Sequence, residues 1–326
     1  MSAFATPLNH LTRSTSLTSM QVTPAAISLA ETLNVSSYFP SPPSQPLILG
    51  HRGSPFLSFE NTLPSYLSAS LHADGVELDV FPLTDDTLVC YHGKGSDQEC
   101  GIMNESHGLD LSIKTLDYEG LPRSVKKTFG DKACEIFEDE EVLIPKLEEV
   151  LLEFAPSNFH LTIELKASST EALLTSLLSK TSYPLPYITV SSFHHAYLSN
   201  IKSLNQDVRV ACLFNSPLDS DWIEKTKGIG AEEVHLRYDT CTMENVRKAK
   251  EAGLSVMSWC SGPLRMSSEK WSDCGNEDED FYDVILRTGV DKICVNRPDV
   301  ARKVCDKIWG EKGEKKWESL GEKLSV

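Results

Sequence analysis

Residues 47–80 read LILGHRGSPFLSFENTLPSYLSASLHADGVELDV, one strand–helix–strand unit. Leu47 to Leu49 and Val76 to Val80 are short apolar runs of strand length and composition. Between them Thr62 to His72 repeats its apolar residues at helical spacing. The same alternation continues to the C-terminal side. Further strand-like runs stand at Leu161 to Leu165, Tyr187 to Val190, Val208 to Phe214, Val234 to Leu236, Leu254 to Trp259 and Ile293 to Val295. Helical periodicity recurs at Lys146 to Phe154, Thr170 to Ser179, Met243 to Ala252 and Asp299 to Trp309. Strands that take turns with helices predict a parallel sheet with crossover helices. Eight strands over about 255 residues fit the typical size of a (β/α)8 barrel, roughly 250 residues. No Gly-rich dinucleotide fingerprint follows the first strand, so the doubly wound alternative is disfavoured. The expected fold class is α/β, a (β/α)8 TIM barrel with a small insertion after the second strand.

The flanks set the domain limits. PSPPSQP (residues 40–46) is a stiff, extended linker. Residues 1–46 therefore read as a flexible N-terminal arm, 47–305 as the catalytic barrel, and 306–326 as a charged C-terminal tail. Residues 93–143 are polar, rich in Gly, Asp and Lys, and do not fit the repeat; they read as the insertion. The arm carries one basic residue, Arg13, and one acid, Glu31, which gives it a faint transit-peptide character. The simpler expectation is a cytoplasmic protein with a loosely packed arm.

With 326 residues, 40% apolar and 24% charged, the chain can bury a large core. A formal net charge of -16 disfavours a nucleic-acid partner, which needs basic surface to displace phosphate counterions. It also means that any phosphate chemistry needs a focused cationic centre, either Lys/Arg or a metal. The 9 cysteines are scattered, without zinc spacing, and read as reduced thiols. No run approaches the roughly 20 apolar residues of a transmembrane segment. Oligomeric state is not legible.

Barrel enzymes carry their functional groups where strands end, at the C-terminal face. His51 and Arg52 follow the first strand, Glu77 and Asp79 lie in the second, His92 ends the short apolar run Leu88 to Tyr91, Glu164 and Lys166 close the third strand and Trp259 the seventh. Glu77 and Asp79, at i and i+2, share one face of their strand, and Lys166 shares a side with Glu164. Three carboxylates in a barrel mouth repel one another unless a cation neutralises them; oxygen ligands suit one divalent cation, Mg2+ or Ca2+. An ion-pair network among Glu77, Asp79, Arg52 and Lys166 without metal is the competing account. His51 and His92 can serve as acid and base in cleaving a phosphodiester, with Arg52 and Lys166 on the phosphoryl oxygens. Trp259 either walls the pocket or fills the core. Glu60 either bonds near the HRG segment or serves as a helix-start acid, and Phe193, His194, His195 and His235 read as structural.

In this order and spacing, LGHRGSPFLSFENTLPSY, DGVELDVFPLTDDTLVCYH, IPKLEEVL, LTIELKA, VSSF, GLSVMSW and GVDKICVNRPD resemble the glycerophosphodiester phosphodiesterase (GDPD) family from about residue 47 to 303. The resemblance implies a (β/α)8 barrel and metal-dependent hydrolysis of a small-molecule glycerophosphodiester to glycerol 3-phosphate and an alcohol. It assigns His51 and His92 as the acid/base pair, Glu77, Asp79 and Glu164 as metal ligands, Arg52 and Lys166 as phosphate contacts, and Trp259 to the pocket wall. Three positions depart from the family pattern. Phe59 replaces a Pro ahead of Glu-Asn-Thr, Gly93 stands where an Asp follows the second histidine, and Asn296-Arg297-Pro298-Asp299 replaces Thr-Asp-x-Pro. Asn61 or Thr62 can still cap the first helix. Two alternatives stand beside the main reading: phospholipase D-like action on lysophospholipid or sphingomyelin, and a catalytically weakened binding module motivated by Gly93 and Asn296.

Overall fold

The computed structural model describes residues 29, 31–33, 44–93, 101, 103, 111–123, 143–261 and 277–310. The strands are β1 (Leu47–His51), β2 (Gly75–Pro82), β3 (Leu88–Cys90), β4 (His160–Leu165), β5 (Ile188–Ser192), β6 (Arg209–Phe214), β7 (Glu233–Arg237), β8 (Ser255–Trp259) and β9 (Lys292–Val295). All but β3 pair in parallel in the order β1-β9-β8-β7-β6-β5-β4-β2, and β2 pairs with β1 to close the ring. This is the expected (β/α)8 barrel. Each of the eight apolar runs read from the sequence contributes one of its staves.

The helices are α1 (Leu63–Ser70), α2 (Leu147–Phe154), α3 (Thr170–Lys180), α4 (His195–Leu204), α5 (Trp222–Ile229), α6 (Met243–Glu251), α7 (Glu279–Arg287) and α8 (Pro298–Trp309). Their apolar faces cover the outside of the barrel. There Val76, Leu78 and Val80 of β2 join Ile163 of β4, Leu147 and Leu151 of α2, and Leu174 and Leu178 of α3 in one buried cluster. Inside the ring, Leu49, Met257 and Cys294 form a small apolar plug under Trp259. The first residues of three strands make an ionic layer at the opposite end. Lys292 Nζ lies 2.7 Å from both Glu233 oxygens, and Arg209 donates to Glu233 Oε1 at 2.8 Å.

The exception to parallel pairing positions the site. β2 runs past the barrel rim, and the chain turns back through Thr84-Asp85-Asp86 so that β3 pairs antiparallel with its end, Val80 facing Cys90. Each step along β3 is thus a step back down β2. Tyr91 N–H donates to the Asp79 carbonyl at 3.0 Å, which delivers His92 to the mouth. The described part of the expected insertion, with Met103, Ile113 and Leu121 buried, packs on Phe81, Leu83, Val89 and Tyr91 as a separate small core. The rest of 93–143, and 311–326 of the expected tail, lie outside the described residues. Within the expected N-terminal arm, Leu33 is fully buried and joins the main core, and its carbonyl accepts from Met243 N–H of α6 at 3.3 Å. Leu29 packs against the same core, and Leu33 N–H donates to its carbonyl at 2.9 Å, so the pair stands one helical turn apart; two leucines at that spacing are too short a signal to mark a docked segment in a Ser/Thr-rich stretch. None of the described helices is long and apolar enough to cross a membrane.

Candidate active site

The HRG turn is built by sterics. After β1 the backbone reverses at Arg52 and Gly53, with φ of 53° and 94°. A Cβ on Gly53 would stand 2.6 Å from the Ser65 carbonyl carbon, so α1 can approach only because residue 53 has no side chain. Thr62 caps α1 by accepting from Ser65 N–H. Asn61 is thereby released for another task. Its Nδ2 donates to Asp79 Oδ2 at 2.8 Å, while its Oδ1 accepts from Tyr66 Oη at 3.0 Å and Asp79 N–H at 3.2 Å.

Parallel register sets Asp79 opposite Glu164, and pleating turns Glu77, Asp79 and Glu164 into the barrel. One carboxylate oxygen of each lies within 4.8 Å of the others, and all three residues are buried. Around them is a dense ionic network. Arg52 Nε is 3.1 Å from Asp79 Oδ2, Arg52 Nη1 donates to Glu60 Oε2 at 2.9 Å, and Lys166 Nζ lies 2.6 Å from Glu164 Oε1 and 3.1 Å from Asp79 Oδ1. Glu60 therefore bonds to the HRG turn, the first of its two readings. The competing ion-pair account is also realised in part, since the pairs exist. They do not balance the charge: Arg52 and Lys166 face Glu60, Glu77, Asp79 and Glu164. Glu77 Oε1 is buried without a hydrogen-bond partner.

The electrostatics follow from this imbalance. Burial and the negative charges of Asp79 and Glu164 push the Glu77 carboxyl well above the usual range. For Asp79, burial pushes upward, but the Lys166 and Arg52 charges outweigh it and hold the carboxyl well below that range. Glu164 is raised by burial against the pull of Lys166. A buried acid that would rather keep its proton, beside an orphaned oxygen and two acids of matching reach, fits a hard divalent cation. Glu77, Asp79 and Glu164 can hold a metal.

The histidines flank this cluster. His51 is buried at the end of β1 with Nε2 3.7 Å from Glu77 Oε2 and Nδ1 2.9 Å from Asn296 Oδ1. Burial and the Arg52 charge lower its pKa to about 4. His92, half-buried, sets Nδ1 2.7 Å from the Gly93 carbonyl. Gly93 thus offers its own backbone oxygen to the ring, at a φ of 68° that glycine adopts freely. Trp259 stands at the end of β8, its Nε1 3.3 Å from the Phe214 carbonyl and its ring edge-on to Phe193 at 5.5 Å. His194, His195 and His235 have structural partners. His194 packs on Tyr197, His195 Nε2 meets the Leu213 carbonyl at 2.9 Å, and His235 lies 3.4 Å from Glu233.

Two roles escaped the sequence. Asn61 looked like one of two helix caps, and its contact with Asp79 spans 18 positions. Glu277 carried no signal, yet it meets Asn296 from 19 positions away. Neither is visible to a pattern that reads neighbours along the chain.

A closed parallel barrel with buried acids, fixed cations and two imidazoles at its C-terminal mouth defines a (β/α)8-barrel hydrolase of phosphoric diesters. Residues 51–300 match the glycerophosphoryl diester phosphodiesterase family, and the chain belongs to that family. It is 26% identical over 219 residues to a glycerophosphodiester phosphodiesterase of Caldanaerobacter subterraneus subsp. tengcongensis, covering 65% of this chain and 84% of the relative. Among solved structures, a candidate glycerophosphodiester phosphodiesterase from Galdieria sulphuraria matches with a TM-score of 0.66 at 27% identity, over 80% of this chain and 98% of that one. An Oleispira antarctica phosphodiesterase, solved in complex with the product sn-glycerol-3-phosphate, shares the fold with a TM-score of 0.64 at 20% identity, over 80% of this chain and 97% of that one.

Proposed function

We propose that this chain hydrolyses small glycerophosphodiesters, such as glycerophosphocholine, glycerophosphoethanolamine or glycerophosphoinositol, to glycerol 3-phosphate and an alcohol. The observation that carries the reading is the trio Glu77, Asp79 and Glu164, with oxygens within 4.8 Å, flanked by His51 and His92. Glu77, Asp79 and Glu164 are the ligands of one divalent cation, Mg2+ or Ca2+. Bound there, the cation supplies Lewis-acid stabilisation of the phosphoryl oxygens. Arg52 and Lys166 bind and orient the phosphate and share its developing negative charge. One imidazole takes the proton of the attacking water as the new P–O bond forms; the other protonates the alcohol oxygen as the old P–O bond breaks. Both rings present Nδ1 to an acceptor oxygen, Asn296 Oδ1 and the Gly93 carbonyl, which favours Nε2 as the working nitrogen of each. Trp259 walls the pocket.

The test is choline release from glycerophosphocholine by the purified protein with Mg2+, Ca2+ or EDTA. Activity only with a divalent cation is expected, and undiminished release in EDTA would remove the metal from the mechanism. His51→Ala and His92→Ala should each lower the rate by about 10^2-fold or more; full activity in either would remove that residue. A second reading, phospholipase D-like action on lysophospholipid, is favoured by Phe56 and Leu57, which are 37% and 47% exposed in the loop after β1. Lysophosphatidylcholine in the same assay decides between them.

A further inference from the structure

We propose that Glu277 and Asn296 form a positioning pair that holds His51 in its Nδ1-protonated tautomer, keeping the Nε2 lone pair turned toward the carboxylate cluster. The inference rests on the reading of His51 as an acid/base group. It begins with the Asn296 amide, whose two ends make opposite demands. One side-chain atom lies 2.9 Å from His51 Nδ1; the other lies 2.6 Å from Glu277 Oε1 and 3.0 Å from the Ser261 carbonyl. A carboxylate and a carbonyl only accept, so the atom facing them is Nδ2, and flipping the amide would set oxygen against two oxygens. Oδ1 therefore faces His51. As an acceptor only, it requires the hydrogen to sit on Nδ1, and a neutral imidazole with its hydrogen there has a bare Nε2. That nitrogen is the one 3.7 Å from Glu77 Oε2.

Glu277 is itself held in place. Its Oε2 accepts from Asn296 N–H at 3.0 Å and from the Tyr282 hydroxyl, and that hydroxyl in turn accepts from Arg297 N–H at 3.3 Å. Glu277, Asn296 and Tyr282 are 1%, 0% and 0% exposed, so water does not compete for these bonds. Glu277 also sits at a φ of 46°, left-handed for a residue with a side chain, just ahead of α7. The strain is sustained by the three hydrogen bonds its carboxylate receives. A carboxylate buried only to tie α7 to β9 would need no amide whose far end points into the barrel mouth.

The test reads the tautomer directly. In the full chain with 15N-labelled histidine, NMR should show His51 with a pyrrole-type Nδ1 and a pyridine-type Nε2 near neutral pH, assigned by the signals lost in His51→Gln. Asn296→Leu should abolish that preference and lower kcat by about 10- to 100-fold, as loss of a histidine's hydrogen-bond partner does, with KM little changed. The pair Asn296→Asp with Glu277→Gln reverses the polarity of their mutual bond and keeps an acceptor against Nδ1, while the oxygen that replaces Nδ2 now faces the Ser261 carbonyl. It should recover the tautomer and part of the lost kcat, whereas Glu277→Gln alone should lose both. A wild-type His51 protonated on Nε2 would overturn the proposal, as would an Asn296→Leu variant that loses kcat with the tautomer unchanged. If Asn296→Leu fails to fold, the wild-type spectrum and the polarity-reversed pair still decide. Full turnover by His51→Ala would instead overturn the acid/base reading, which the tautomer measurement does not touch.

Discussion

Arg52 shows how the site is made from single residues. It occupies left-handed backbone space, and three bonds keep it there: its N–H to Glu77 Oε2 at 3.2 Å, and Asn61 N–H and Ser65 Oγ to its carbonyl at 3.0 and 3.1 Å. Strained backbone held from both sides aims the guanidinium at Asp79 and Glu60. The raised Glu77 carboxyl has a consequence of the same kind. A carboxyl whose pKa is raised tends to retain its proton, and a cation must displace it, so binding releases protons and tightens as pH rises. Calorimetric titration with Mg2+ or Ca2+ in two buffers of different ionisation enthalpy should reveal proton release that Glu77→Gln removes; identical heats in the two buffers would contradict this. At Gly93 the left-handed φ makes alanine costly by about 1 kcal/mol. Since the Gly93 carbonyl holds His92, Gly93→Ala should lower kcat more than it lowers stability, as steady-state kinetics beside a thermal melt would show.

Among elements, the β2–β3 hairpin and the α8–β1 junction matter most. Antiparallel return along β2 brings His92 back beside Asp79, although the two stand 13 positions apart in the chain. At the other end of the barrel, Asp74 accepts from Ile48 N–H at 3.0 Å and pairs with Arg302 of α8 at 2.7 Å, both partners being buried. One carboxylate therefore fastens β1, the start of β2 and the last described helix. Asp74→Ala would strand a buried guanidinium, a change that typically costs about 3–5 kcal/mol. Urea unfolding should show a loss of that order, while Asp306→Ala, removing a partner 3.8 Å from Arg302, should cost far less.

The whole molecule should be acid-labile. Burial, followed by the Lys292 charge, lowers the His160 pKa to about 4, and burial also lowers that of His235. For a histidine with a folded pKa below its unfolded value, the stabilisation is fully present above about 6.5 and is lost as pH falls toward 4. Glu233 acts in the same direction. Burial pushes it up, but its His235 and Lys292 contacts hold it well below the carboxylate range, so its contribution is fully present above about 4.5 and is lost only as pH falls below that. The melting temperature should therefore decline steadily from pH 7 to pH 4, and His160→Gln should flatten the upper part of that slope. A flat profile in the parent protein would show that the ionic layer at the barrel floor is not coupled to folding.

The barrel and its eight staves are legible in the chain, and so are the charged residues that interrupt them. Parallel strands buried on both faces must be near-continuous apolar runs, so Glu77, Asp79 and Glu164 stand out against them, and their two-residue spacing fixes a shared side. Local chemistry is written locally. Which groups meet is a matter of packing. The tertiary structure set Asp79 opposite Glu164 by register and returned His92 by an antiparallel turn. It diverted Asn61 from capping to Asp79, docked Leu33, and joined Glu277 to Asn296 and so to His51. Hydrogen bonds between residues tens of positions apart depend on how the ring closes, and closure is a property of the packed molecule that no window of the chain contains.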